Sequence, residues 1–176
     1  GTSQTITITI TGVNDDATFG GATTGAATED TSDASGTATV ADTDTGQATF
    51  TAVSTATDSV SGYGQYTITT GGVWAYTLTD SNAAVQALAA SATMTDTFAV
   101  TSSDGTSQTI TITITGVNDA ATFGGATTGG ATEDTSDASG TATVADTDTG
   151  QATFTAVSTA TDSVSGYGQY TITTGG

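Results

Sequence analysis

Thr109-Ile110-Thr111-Ile112-Thr113-Ile114-Thr115-Gly116-Val117-Asn118-Asp119 is the stretch that decides the fold. Isoleucine alternates with threonine at a period of two, the pattern of a strand with one buried face. A glycine break then leads to an amide and a carboxylate. The first half predicts the last strand of a domain, and the second half predicts a joint with the next one. The same words stand at Thr5 to Asp15.

That recurrence is part of a longer one. Gly1 to Asp15 matches Gly105 to Asp119, an offset of 104 residues, and the match continues until Gly72 pairs with Gly176. Only Asp16 against Ala120 and Ala26 against Gly130 differ. A period of this size is a domain, too long for one solenoid coil or propeller blade. The expected division is residues 1–16 as the C-terminal strand of a preceding repeat, 17–120 as one complete repeat, and 121–176 as the N-terminal part of the next. The last part is expected to need residues outside the sequence to finish its core.

Working outward, Phe19 anchors an irregular first strand within 17–32. Gly36 to Ala41 reads as a second strand, Asp42 to Gly46 as a turn, and Gln47 to Ser54 as a third strand with Phe50 buried. Thr55 to Gly64 reads as a loop. Gln65 to Thr70 and Val73 to Thr79 flank Gly71-Gly72, a two-residue hairpin signal, with Trp74, Tyr76 and Leu78 on one face. Ser81 to Ala90 is the single helical-looking segment. Met94 to Thr101 and Ser107 to Thr115 close the repeat. About seven strands with frequent turns predict an all-β, antiparallel β-sandwich in tandem array. The apolar set is small, so the core is expected to be thin and to need help.

The charge balance narrows function. There are 18 acidic residues and no Lys, Arg or His, so no carboxylate can pair with a basic side chain. Each must face water, accept hydrogen bonds or take a cation from solution. Such a chain repels itself and offers nothing to phosphates, so no nucleic-acid partner is expected. Cysteine is absent, so disulfides and thiolate metal sites are excluded. No apolar run approaches the roughly 20 residues of a membrane span, so direct membrane insertion is not expected. Without His, Cys or Lys, an enzyme is the least expected class; paired carboxylates could hydrolyse sugars, but an active site copied almost unchanged in tandem would be unusual.

Three acidic groups are candidate sites. Asp42-x-Asp44-x-Gly46, repeated at Asp146-x-Asp148-x-Gly150, opens like a calcium loop, with alternate carboxylates converging on a turn. It lacks the rest of an EF-hand, and a plain turn is the competing reading. Asn118-Asp119, with Glu133-Asp134 shortly after, forms a joint cluster whose hard oxygens on flexible loops suit calcium. Asp104 in the Ser-Ser-Asp-Gly turn is the third. The alternative for all of them is a solvated loop whose Asp and Asn satisfy nearby backbone. That alternative is preferred for Asp80 and Asn82 at the helix start, and for Asp33, Asp58 and Asp162.

Thr28-Glu29-Asp30, Gly36 to Asp44, Gly72 to Leu78, Ala84 to Leu88, Thr95 to Gly105 and Ile110 to Asp119 together resemble the VCBS-type, cadherin-like repeats of giant bacterial repeats-in-toxin (RTX) adhesins. The resemblance covers the whole chain, and the near-identical period is especially similar to the extender regions of ice-binding adhesins of Antarctic marine bacteria. It implies an immunoglobulin-like sandwich, Ca2+ at the joints, and an extracellular spacer between a bacterial cell surface and an adhesive tip. Its partners would be neighbouring repeats of the same chain, in a monomeric array. It implies calcium ligands from the Asn-Asp linker (Asn118, Asp119), a first-strand Glu (Glu29 or Glu133) and the Asp-x-Asp turn (Asp146, Asp148). The matching and adjoining positions in the two copies are Asn14, Asp15, Asp16, Asp30, Asp42, Asp44 and Asp134. Ala120 stands where Asp16 stands in the other copy, which changes the ligand supply at that joint.

Two further readings stay open. The loops or the threonine ladder could make each repeat an adhesive module for sugar, ice or protein, although threonine is simply a good exposed strand residue. The acids could also serve salt adaptation alone, in which case monovalent salt would replace calcium.

Overall fold

The computed structural model describes residues 1–176 and is all-β, with twelve strands in several antiparallel sheets and one short helix. In chain order these are β1 (Thr18–Gly21), β2 (Thr24–Thr28), β3 (Ala34–Ala41), β4 (Val53–Asp58), β5 (Gly64–Ile68), β6 (Val73–Leu78), α1 (Ala83–Gln86), β7 (Thr93–Thr101), β8 (Ser107–Thr115), β9 (Thr122–Gly125), β10 (Ala142–Ala145), β11 (Val157–Asp162) and β12 (Gln169–Ile172). The chain divides into two compact units. One holds Gly1–Ala27, Asp33–Leu78 and Thr95–Thr113; the other holds Thr28–Ser32, Thr79–Met94 and Ile114–Gly176.

The first unit is organised by a five-stranded sheet in the order β1-β3-β6-β5-β4 and a three-stranded sheet in the order β2-β8-β7. Trp74 and Tyr76 of β6 are fully buried, as are Phe98 of β7 and Ile110 and Ile112 of β8. Phe98 is the hub: its ring lies 5.9 Å from Trp74 edge-on, 4.3 Å from Tyr66 and 6.3 Å from Tyr76. These contacts join the inner faces of the two sheets, as in a sandwich. The Trp74 indole nitrogen donates to the Ala22 carbonyl at 2.8 Å, so the largest apolar side chain carries no stranded polar atom.

The expected first strand is two strands. The chain leaves one sheet and enters the other at Ala22–Thr23, where Ala22 N–H donates to Thr37 and Thr23 accepts from Thr111 N–H. Between β5 and β6, Gly72 sits at φ +83°, and a Cβ there would lie 2.1 Å from the Ala38 carbonyl. The turn therefore needs glycine for its hand and for its clearance.

Two further expectations are corrected. Thr55 to Gly64 is not all loop, because residues 53–58 form edge strand β4, paired with β5 across a bulge between Val53 and Thr57. The expected strand at Gln47 to Ser54 reduces to a bridge between Phe50 and Ser102, with Thr51 N–H on Thr101 and Thr49 accepting from Ser103. Phe50 is buried as expected. An edge strand of Ser, Thr and Ala is held by backbone pairing, so it carries no apolar alternation to reveal it. The helix is a single turn capped by Asn82, whose side chain accepts from Ala84 N–H at 2.9 Å.

Residues 1–16 form no strand, and Ile6, Ile8 and Ile10 are 82%, 79% and 89% exposed. In residues 121–176, β9 pairs with β10 and β11 with β12 as separate two-stranded sheets. This stretch contains no counterpart of β6, the strand that joins β3 to β5 in the complete repeat.

Candidate metal centre

The site of most interest lies wholly in the second unit. Glu29 follows Ala27 at strand spacing and inherits its inward parity; both are buried, and Glu29 is 0% exposed. Its backbone N–H donates to Thr115. Its Oε2 accepts from Val117 N–H at 2.9 Å, while Oε1 is buried with no donor.

The Asp146 to Gly150 turn brings a second carboxylate. Asp148 N–H donates to Asp146 Oδ1 at 2.9 Å, an Asx-type closure. Asp148 Oδ2 accepts from Asp119 N–H at 3.0 Å and from the Gln151 amide at 3.1 Å. Asp148 is 2% exposed and its Oδ1 has no donor; Asp119 Oδ2 is likewise buried and without one. Three segments thus each contribute one orphaned, negatively charged oxygen: the end of β2, the linker and the Asp-x-Asp turn.

Such oxygens are costly, since a buried charge without a partner loses hydration and gains nothing for it. The electrostatics register this. Burial pushes the Glu29 carboxyl above its ordinary value, the Val117 N–H opposes the shift, and Asp30, Asp119 and Asp148 reinforce it. No group of three or more acidic side chains is gathered so as to hold a metal ion. The donor set nonetheless fits a hard divalent cation in kind: all oxygen, several carboxylates, and buried atoms no protein donor reaches.

The other copy of the joint, in the first unit, repeats the contacts. Asp15 N–H donates to Asp44 Oδ2 at 2.8 Å and Asp44 N–H to Asp42 Oδ1 at 2.7 Å. Asp42 Oδ2 is the fourth buried oxygen without a donor.

The remaining candidates divide plainly. Asp104 is saturated: Oδ1 accepts from Ser102 Oγ and Thr106 N–H, and Oδ2 from Thr106 Oγ1 and Ala17 N–H. The Ser102 and Thr106 hydroxyls lead in holding its carboxyl far below the usual range. For Asp104 the hydrogen-bonded turn accounts for both oxygens. Asn14 and Asn118 are exposed, and each side-chain amide donates to the next residue's carbonyl. Asp16 is exposed. Glu133 and Asp134 are exposed in the Thr132–Ser136 turn and do not join the cluster. Asp30 is exposed at φ +56°, where its N–H meets Asp80 Oδ1 and its Oδ1 accepts from Gln86.

Asp80 and Asn82 do what the solvated-loop alternative expects: Asp80 Oδ1 accepts from Asp30 N–H, and Asn82 caps the helix. Sequence reasoning missed one carboxylate. Asp96 is 1% exposed in the first unit and accepts from Ser59 Oγ, Tyr76 OH (2.8 Å), Ser61 N–H (3.1 Å) and Thr97 N–H (2.7 Å). Burial pushes its carboxyl up, but the four donors outweigh this and leave it below its ordinary value. The missed signal was parity: Asp96 shares a strand face with Phe98 and Val100.

No protein-family model matches the chain, and no curated protein matches it.

Proposed function

We propose that this chain is part of a calcium-stiffened extender: tandem immunoglobulin-like repeats that hold an adhesive tip away from a bacterial cell surface. The observation that carries the reading is the set of orphaned oxygens on Glu29, Asp119 and Asp148. They come from the end of β2 in one repeat, the linker and the Asp-x-Asp turn of the next, in a chain with no Lys, Arg or His. Glu29, Asp119 and Asp148 would hold the ion, with Asp146 orienting Asp148; Asp15, Asp42 and Asp44 would serve the matching joint. A bound divalent cation supplies the positive charge that the sequence lacks. The chain's own part is to bury the oxygens, exclude protein donors from them and space them along the linker.

Calcium is favoured over magnesium because the oxygens sit on turns and a linker, which meet irregular coordination more easily than a strict octahedron. Extracellular calcium modules bind at about 10⁻⁴–10⁻³ M, so the array would stiffen outside a cell and stay loose within it. Each repeat would add roughly 40–50 Å if strands of this length at about 3.3 Å per residue plus a joint set the span. The near-identity of the repeats and the resemblance to RTX adhesin extenders support a spacer role.

The test compares melting temperature and scattering-derived maximum dimension in calcium, in chelator, and in sodium chloride of matched ionic strength. The expected result is higher melting and a longer, narrower distribution in calcium only. Identical values in all three would remove the mechanism, and equal effects of sodium would assign the acids to salt adaptation.

A further inference from the structure

Gly116 stands in the linker sequence Thr-Ile-Thr-Gly-Val-Asn-Asp, which Gly12 shares. A Cβ on Gly12 would meet nothing within 4 Å. A Cβ on Gly116 would lie 2.5 Å from the Leu88 carbonyl oxygen and 2.6 Å from that of Ala89. The backbone is gripped as well: Gly116 N–H donates to Ala92 at 2.8 Å, and Gly116 accepts from Ser91 N–H at 3.1 Å.

The gripping segment is a built feature. The buried Val85 anchors α1, and Leu88 N–H donates back to Val85. The loop then turns through Ser91 at φ +65°, a conformation uncommon for a non-glycine residue. One residue before this loop, the Ala87 carbonyl accepts from Thr149 N–H at 3.1 Å. Thr149 lies beside Asp148, in the turn that carries an orphaned oxygen.

We propose that residues 87–92 form a metal-independent clamp: they fix the linker at Gly116 and catch the Asp-x-Asp turn at Thr149. The clamp places Val117, Asp119 and Asp148 before any ion arrives, so the cation tightens a joint already in register. This alignment role rests on the extender reading; the clamp itself does not. Preorganisation of this kind raises affinity by removing ordering cost from the binding step.

The experiment is amide hydrogen exchange on the 176-residue chain in chelator. Thr45 is the internal control: it occupies the place of Thr149 in identical sequence, with no counterpart of Ala87 present. We expect Thr149 to exchange about tenfold or more slowly than Thr45, the effect of about one net hydrogen bond. Gly116→Ala is expected to bring the two rates together and to raise the calcium midpoint about tenfold by the same measure, while Gly12→Ala changes neither. Equal exchange of Thr149 and Thr45 in the unaltered chain would overturn the clamp, whether or not Gly116→Ala folds. Unprotected Thr149 with a calcium-dependent melting temperature would remove the clamp and leave the extender standing. Protected Thr149 with no calcium response would do the reverse.

Discussion

Replacing Glu29 by glutamine separates a metal ligand from a merely structural residue, because the two roles predict opposite signs in chelator. Glu29 is fully buried, Oε2 holds Val117 N–H and Oε1 faces an acidic neighbourhood without a donor. Glutamine has nearly the same shape and keeps an acceptor for Val117. It also removes a buried negative charge that Asp30, Asp119 and Asp148 disfavour. In chelator the variant should therefore be more stable than the parent. In calcium the order should invert. At calcium of roughly 10 to 100 times the dissociation constant, one site adds about 1.4–2.7 kcal/mol. For a domain of this size that corresponds to roughly 5–15 °C in melting temperature, most of which the variant should forgo. The assay is differential scanning calorimetry of both chains across a calcium series. A crossing of the two melting curves is expected. A variant destabilised equally in chelator and in calcium would refute the reasoning, as would a full calcium increment without Glu29.

Other outcomes follow from the same geometry. Asp96→Asn keeps the size but turns one acceptor into a donor facing donors, and should cost about 2–3 kcal/mol. That loss, read by Trp74 fluorescence during urea unfolding, should be the same with and without calcium. Ile112→Ala should cost about 2–5 kcal/mol, because its side chain is fully buried. Ile8→Ala, in identical local sequence but exposed, should change stability by less than about 0.5 kcal/mol in this chain. The pH response in chelator should carry two opposed contributions. Glu29 has a raised folded pKa, so its contribution is present below its unfolded value and lost as pH rises through the folded value. Asp96 has a lowered one, so its contribution is present above the unfolded value and lost as pH falls through the folded value. The stability of the repeat in chelator should therefore fall on both sides of a maximum, towards acid through Asp96 and above the ordinary carboxylate range through Glu29, as read by calorimetry across a pH series.

The repeat, its period and its all-β character were legible because they depend on local pattern. Alternation of Ile with Thr in β8, and of Trp74, Tyr76 and Leu78 in β6, states which face is buried whatever covers it. The Gly71-Gly72 turn and the Asn82 cap are equally local. The acidic positions were legible as candidates for a like reason, since absent basic residues leave few partners for any carboxylate. What stayed hidden depends on neighbours distant in the chain. Edge strand β4 has no apolar face to reveal it and is defined by its pairing with β5. Asp104 and Asp148 look alike in sequence, but Asp104 meets Ser102, Thr106 and Ala17, whereas Asp148 keeps an oxygen that no donor reaches.

The identical copies give the sharpest division. Residues 1–15 and 105–119 are the same word, so sequence fixes their alternation, their joint chemistry and their preference for a strand. It cannot decide whether the isoleucines are buried or whether a side chain would fit at the glycine. Ile110, Ile112 and Ile114 are buried where β2 and β7 flank them, and Gly116 is crowded where residues 88–92 lie over it. Burial and clearance are properties of what surrounds a segment, and only the tertiary structure supplies the surroundings.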